Sequence, residues 1–179
     1  MNNKIIAAVR TSQELEKAIK SNVEMIFMLV PNIEDIKSQA EIVHDAGKKL
    51  FIHIDLAEGI GKDEYGIRFA KSAGVDGIIS TRTNIIKLAS KLGLCNVQRF
   101  FIVDSHSVYT TIETAKQSKA DMVEIMPGVL PKIIKRLKEE LKTPIVAGGL
   151  IETKEEIEEA ILSGAAAISI GKEKFWEWI

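Results

Sequence analysis

Pro144-Ile145-Val146-Ala147-Gly148-Gly149-Leu150-Ile151-Glu152-Thr153 places a short apolar strand, two glycines and a helix start within ten residues. Ala167-Ile168-Ser169-Ile170-Gly171-Lys172 repeats the plan further on: apolar strand, glycine, cation. Paired glycines let main-chain N–H groups approach an anion with no Cβ in the way. A helix that begins just after them points its positive end at the same spot. Two such turns in succession, near the end of a chain of βα units, predict a phosphate pocket.

Working outward, short apolar runs recur, each followed by a helical pattern. Strands are expected at Ile5–Val9, Met25–Val30, Lys49–Asp55, Gly77–Ser80, Gln98–Asp104, Met122–Met126, Pro144–Ala147 and Ala167–Ile170. Between them run stripes of helical period, such as Ile36/Ala40/Val43 and Ile85/Leu88/Ala89/Leu92, apolar on one side and charged on the other. Gly47, Gly74, Gly93 and Gly164 stand where these helices should end. Thr11-x-x-Glu14 and Thr153-x-x-Glu156 read as capping boxes. Eight strands alternating with helices imply a parallel sheet. A closed barrel typically takes ~250 residues, so at roughly 22 residues per unit every element must be minimal. An open doubly wound sheet wants a glycine-rich turn after the first strand, and Val9-Arg10-Thr11-Ser12 is not one. The glycine turns instead follow strands seven and eight, where barrels place their phosphate site. The expectation is therefore an α/β fold, a compact (β/α)8 TIM-barrel-like structure with short elements, in one domain over residues 1–179. The stub after Lys172, with Phe175, Trp176, Trp178 and Ile179, is expected to cap a barrel end or a subunit contact.

Composition narrows the function classes. The chain has 179 residues, 46% apolar and 27% charged, with a net charge of −1. It holds no apolar run of about eighteen residues, so no membrane span is expected. One cysteine, Cys95, read as lying just before a strand, leaves no internal disulfide, and a reducing cytoplasm is the expected setting. A near-neutral chain lacks the basic surplus of a dedicated nucleic-acid binder, so RNA binding would need a local patch or an oligomer. Histidine and cysteine are too few for a zinc site, and no metal or nucleophile–base set is legible.

Some strands carry polar residues on the face predicted to point inward. In Lys49–Asp55 the alternation puts Phe51, His53 and Asp55 on one side and Leu50, Ile52 and Ile54 on the other. The same reasoning sends Glu124 inward, with Ser80, Asp104 and Ser169. A buried carboxylate is costly unless paired. Asp55, Asp104 and Glu124 sit near C-terminal strand ends, where barrel chemistry gathers. Arg82 adds a cation at that face, and Arg10 follows strand one similarly. The Asp55–Asp63 connection, with two glycines and Ile60, suits a flap over a pocket, or simply a long loop.

Ile54-Asp-Leu-x-x-Gly-Ile60, Asp63-Glu-Tyr-Gly66, Gly77-Ile-Ile-Ser-Thr-Arg82, Gln98-Arg-x-Phe-Ile-x-Asp104, Glu124-x-x-Pro-Gly128 and Ala147-Gly-Gly149 together resemble the glycerol uptake operon antiterminator family. The resemblance implies a regulator that senses glycerol 3-phosphate as effector, with no other cofactor and no catalytic residue, and acts on leader mRNA. Carried over by position, it implies a ligand face of Asp55, Arg82, Asp104, Glu124, Gly148 and Gly149. Gly171 and Lys172 join that face on chemical grounds. In this reading the glycines and Lys172 hold the phosphate, while Asp55 and Glu124 accept hydrogen bonds from hydroxyls. A homodimer that pools basic patches is expected to bind the RNA. The alternative is a barrel enzyme acting on small sugar or polyol phosphates, with Asp55 and Glu124 as acid and base.

Overall fold

The structure, a computed structural model, describes residues 4–178; Ile179 lies outside them. Strands β1 (Ile5–Val9), β2 (Met25–Met28), β3 (Lys49–His53), β4 (Gly77–Ser80), β5 (Cys95–Phe101), β6 (Met122–Met126), β7 (Ile145–Gly148) and β8 (Ala167–Ile170) are parallel and pair in sequence order. β8 returns to β1, with Ile5 opposite Ile168, and closes the barrel. Helices α1 (Ser12–Lys20), α2 (Ile36–Asp45), α3 (Glu64–Ser72), α4 (Thr83–Lys91), α5 (Ser105–Ser118), α6 (Pro131–Glu140) and α7 (Lys154–Leu162) follow the first seven strands. The eighth strand leads only to a short 3₁₀ turn, Glu173–Phe175.

The boundaries follow local chemistry. Thr11 and Thr153 close reciprocal capping boxes with Glu14 and Glu156. Gly47, Gly74, Gly93 and Gly164 adopt the positive φ that ends a helix. Leu15, Ile36, Ile67, Ile85, Ile134 and Ile157 point from the helices onto the outer face of the sheet. A second apolar cluster, with Ile6, Phe27, Phe51, Ile79, Val97 and Val146, fills the barrel itself. Trp176 is fully buried and donates from Nε1 to the carbonyl of Ile170 at 2.9 Å, so the terminal stub plugs against β8.

Several expectations need correction. β2 stops at Met28, because Pro31 and Asn32 turn the chain toward a bridge with Glu58. β3 stops at His53, and Ile54–Leu56 wind into a 3₁₀ turn, so Asp55 leaves the strand alternation. β5 runs from Cys95 to Phe101 rather than Gln98 to Asp104, so Cys95 opens the strand rather than preceding it. β7 starts at Ile145, not Pro144, and extends through Gly148. Ser80 follows the inward Ile79 and so lies on the helix side of β4. The Asp55–Asp63 connection is no open flap: Ala57 and Ile60 are buried in the outer core, and Asn32 bridges Glu58.

Candidate functional site

Inward alternation on β5 and β6 brings Arg99 opposite Glu124 across the parallel pair. Arg99 Nε donates to Glu124 Oε2 at 2.7 Å, and the two side chains are 6% and 0% exposed. This is a buried ion pair inside a hydrophobic barrel. The other carboxylate oxygen, Oε1, is buried and has no hydrogen-bond partner. A Cβ on Gly148 would lie 2.7 Å from that oxygen, so glycine at the end of β7 is what makes room for it. Ser169 pairs in register with Gly148 and borders the same space.

His53 also faces the interior, and both its ring nitrogens are buried without a hydrogen-bond partner. Asp55 Oδ2 is 3.9 Å away. Burial, and then the positive charge of Arg99, push the His53 pKa down to about 4 against the pull of Asp55. The imidazole is therefore neutral near pH 7. Asp55 is committed elsewhere. Its carboxylate accepts from the Ser80 hydroxyl at 2.7 Å, the Thr81 amide at 2.7 Å and the Thr81 hydroxyl at 2.9 Å. Burial works to raise its pKa, but these hydrogen bonds outweigh it and hold the carboxyl below its ordinary value. The Arg82 guanidinium stands 3.9 Å from Asp55 at the start of α4. These residues rivet the exits of β3 and β4 together.

The glycine turns meet at the other side of the same mouth. Gly149 (φ +76°) and Leu150 (φ +62°) are both left-handed, so the chain reverses sharply as it leaves β7. The Gly128 amide donates to the Gly149 carbonyl at 2.9 Å, which ties the β6 exit to this turn. Gly171 leaves β8 close against the Ala8 carbonyl of β1. Between these turns opens a cavity of about 270 Å³, lined by Arg10, Arg99, Gly149, Glu152, Gly171 and Lys172 among others. Lys172 Nζ is 3.1 Å from Glu152 Oε1 across the opening. Arg99 is paired with Glu124 and Lys172 with Glu152, so Arg10 supplies the surplus positive charge of the lining. The cavity floor is the Arg99–Glu124 pair.

The structure thus gathers some of the expected residues and separates others. Gly149, Gly171 and Lys172 line the cavity, while Gly148 and Glu124 adjoin its lining residues Ser169 and Arg99. Asp55 and Arg82 are not among its lining residues. Asp104, expected on a strand and inward, is instead the exposed N-cap of α5, forming a capping box with Ser107. Its pKa is held low mainly by the Ser107 amide. Arg99 is a cavity-lining residue that the strand patterns alone do not single out. The signal that could find it is a pair of lone charges in neighbouring apolar strands, each too costly to bury singly. Among the described residues no group of three or more His, Cys, Asp or Glu could hold a metal, and no helix is long and apolar enough to cross a membrane.

Known proteins share this architecture. Residues 5–176 match the family model described as glycerol-3-phosphate responsive antiterminator. An uncharacterized protein, YgcP of Escherichia coli K12, is 38% identical over 175 residues, covering 97% of this chain and 92% of that protein. The crystal structure of a glycerol uptake operon antiterminator regulatory protein from Listeria monocytogenes superposes with a TM-score of 0.94 at 32% identity, over 100% of this chain and 97% of that one. An antiterminator-related protein from Thermotoga maritima gives 0.87 at 33% identity, over 98% of each chain.

Proposed function

The chain belongs to the glycerol-3-phosphate responsive antiterminator family, and from that premise we propose that it is a sensor whose effector, glycerol 3-phosphate, binds in the cavity at the barrel mouth. Loaded protein then promotes read-through of a terminator in the leader RNA of glycerol-utilisation genes, in the cytoplasm. The observation that carries this reading is the convergence of Gly149, Gly171, Lys172 and Arg10 on one small cavity. The phosphate sits between the two turns. Their amides approach it without obstruction, and Arg10 and Lys172 supply charge.

The effector can act only through a difference in affinity between the two states of the protein. The Lys172–Glu152 contact offers such a difference, since a phosphate on Lys172 displaces the carboxylate that holds it when the site is empty. Glu152 also leads directly into the capped start of α7. A chain of net charge −1 binds RNA weakly as a monomer, so a dimer that pools basic patches is the RNA-binding form. The enzyme alternative has less support. Schiff-base chemistry on a sugar phosphate wants a lysine near the C-terminal ends of the strands. Lys172 follows β8 at that end and lines the cavity, but it is 43% exposed and paired with Glu152 at 3.1 Å, not the desolvated amine such chemistry uses.

The test is RNA binding, followed by fluorescence anisotropy with the leader RNA, with and without glycerol 3-phosphate, at several salt concentrations. Tighter binding with the effector supports the sensor. Binding indifferent to the effector at every salt concentration overturns it, and conversion of glycerol 3-phosphate to product moves the protein to the enzyme class.

A further inference from the structure

A phosphate cradle accounts for the upper half of the cavity and leaves its floor unexplained. That floor is an arginine held in place by a carboxylate with an unsatisfied oxygen. Arg99 spends Nε on Glu124, and its guanidinium lines the cavity from below. Glu124 is fully buried; Oε2 takes the arginine and Oε1 has no partner. Gly148 leaves that oxygen its room, with Ser169 alongside. An unsatisfied buried carboxylate oxygen is costly to keep, and a hydrophobic pair of similar volume would fold as well or better. The arrangement therefore points to recognition.

Building on the sensor reading, we propose that Arg99, positioned by Glu124, reads the end of the ligand remote from the phosphate and selects one that carries a hydroxyl. Guanidinium N–H groups need an acceptor, and a hydroxyl oxygen supplies one. The carboxylate beneath cancels the positive charge of Arg99, so the floor as a whole is close to neutral. A neutral hydroxyl meets no electrostatic penalty there. A carboxylate end would meet Arg99 with its charge already spent on Glu124 behind it, and so would be desolvated without a free counter-charge. A carbonyl end accepts from Arg99 but gives no proton to the acceptors around it. Arg99 is thus the contacting residue and Glu124 the positioning one. Together they separate a phosphorylated polyol from a phosphorylated acid of the same length.

The test is isothermal titration calorimetry with inorganic phosphate, glycerol 3-phosphate, dihydroxyacetone phosphate and 3-phosphoglycerate, on wild type, Arg99→Met and Glu124→Gln. Wild type is expected to bind glycerol 3-phosphate roughly ten- to hundredfold more tightly than 3-phosphoglycerate, the range for leaving a polar group unpaired. Arg99→Met is expected to keep phosphate affinity within about threefold and to lose the preference for glycerol 3-phosphate over inorganic phosphate. Glu124→Gln retains the volume and an acceptor for Arg99 but removes the charge. It should keep glycerol 3-phosphate and gain about tenfold on 3-phosphoglycerate. The proposal is overturned if Glu124→Gln leaves the discrimination against the acid unchanged, whether or not Arg99→Met folds. It is also overturned if a folded Arg99→Met keeps the polyol preference. A wild-type protein that binds none of the four probes removes the phosphate cradle and this floor with it. One that binds inorganic phosphate as tightly as its esters leaves the cradle standing and removes the floor alone.

Discussion

Removing one member of the Arg99–Glu124 pair should cost far more stability than removing both. Glu124→Leu leaves a guanidinium that is 6% exposed with no counter-charge. Arginine cannot escape by losing its proton. Breaking a buried pair from one side costs about 3–5 kcal/mol, whereas replacing both partners with apolar groups is often neutral or better. At a slope of about 2–3 kcal/mol per molar urea for a domain of this size, the Glu124→Leu midpoint should fall by about 1–2.5 M. Arg99→Met strands the carboxylate instead and should also be destabilising. The Arg99→Met, Glu124→Leu double variant should return to within about 2 kcal/mol of wild type. Trp176, buried and hydrogen-bonded to Ile170, provides the fluorescence signal for urea titration. If either single variant costs under about 1 kcal/mol, or the double variant costs the sum of the two, the pair is not the dry ion pair described here.

Three further outcomes follow from particular residues. His53, with its folded pKa near 4 and an ordinary value of 6.5, takes up a proton in the unfolded chain first. Stability should therefore fall by up to about 3 kcal/mol as the pH drops from 6.5 to about 4. His53→Leu should flatten that slope in urea midpoints measured at successive pH values. Asp55, held low, adds its own loss only below about pH 3.8. Asp55→Asn should cost about 1.5–3 kcal/mol by weakening the hydrogen bonds from Ser80 and Thr81. It should leave the thermal shift with inorganic phosphate intact, and a lost shift in a stable variant would return Asp55 to the ligand site. Leu150→Gly relieves a left-handed leucine that costs about 1–2 kcal/mol and gives back about 0.5–1 kcal/mol in chain entropy, so melting should show a neutral or slightly stabilised protein. A loss above about 1 kcal/mol would mean that the Leu150 side chain, 72% exposed, does something the barrel needs.

What can be read in advance divides by the range of the interaction involved. Capping boxes, helix-ending glycines and strand alternation are local, and Thr11, Thr153, Gly164, His53 and Glu124 stand where local rules put them. The meeting of the β7 and β8 turns is also legible, because adjacent parallel strands leave a sheet side by side. The errors share a cause. The apolar run after Gln98 looks continuous and draws Asp104 into a strand, yet Asp104-Ser-His-Ser107 is itself a helix-start signature. A strand begun at Gln98 instead of Cys95 also hides Arg99 as a central, interior charge. The register that sets Arg99 against Glu124 joins residues 25 apart in sequence, and no local pattern encodes it.

Burial cost supplies the constraint that local patterns lack. A strand with one central arginine and its neighbour with one central glutamate are each implausible as barrel walls, and become plausible only as partners. In a barrel whose strand order follows the sequence, neighbours are known once closure is assumed. The pair then follows from topology and electrostatics together. The same reasoning explains why Asp55 behaves differently from Glu124 though both are expected to face inward. Asp55 lies beyond the last residue of β3, where main-chain and hydroxyl donors of the next strand's exit can reach it. Glu124 lies two residues inside its strand, where every main-chain donor is engaged in the ladder and only another side chain, or a ligand, can satisfy it.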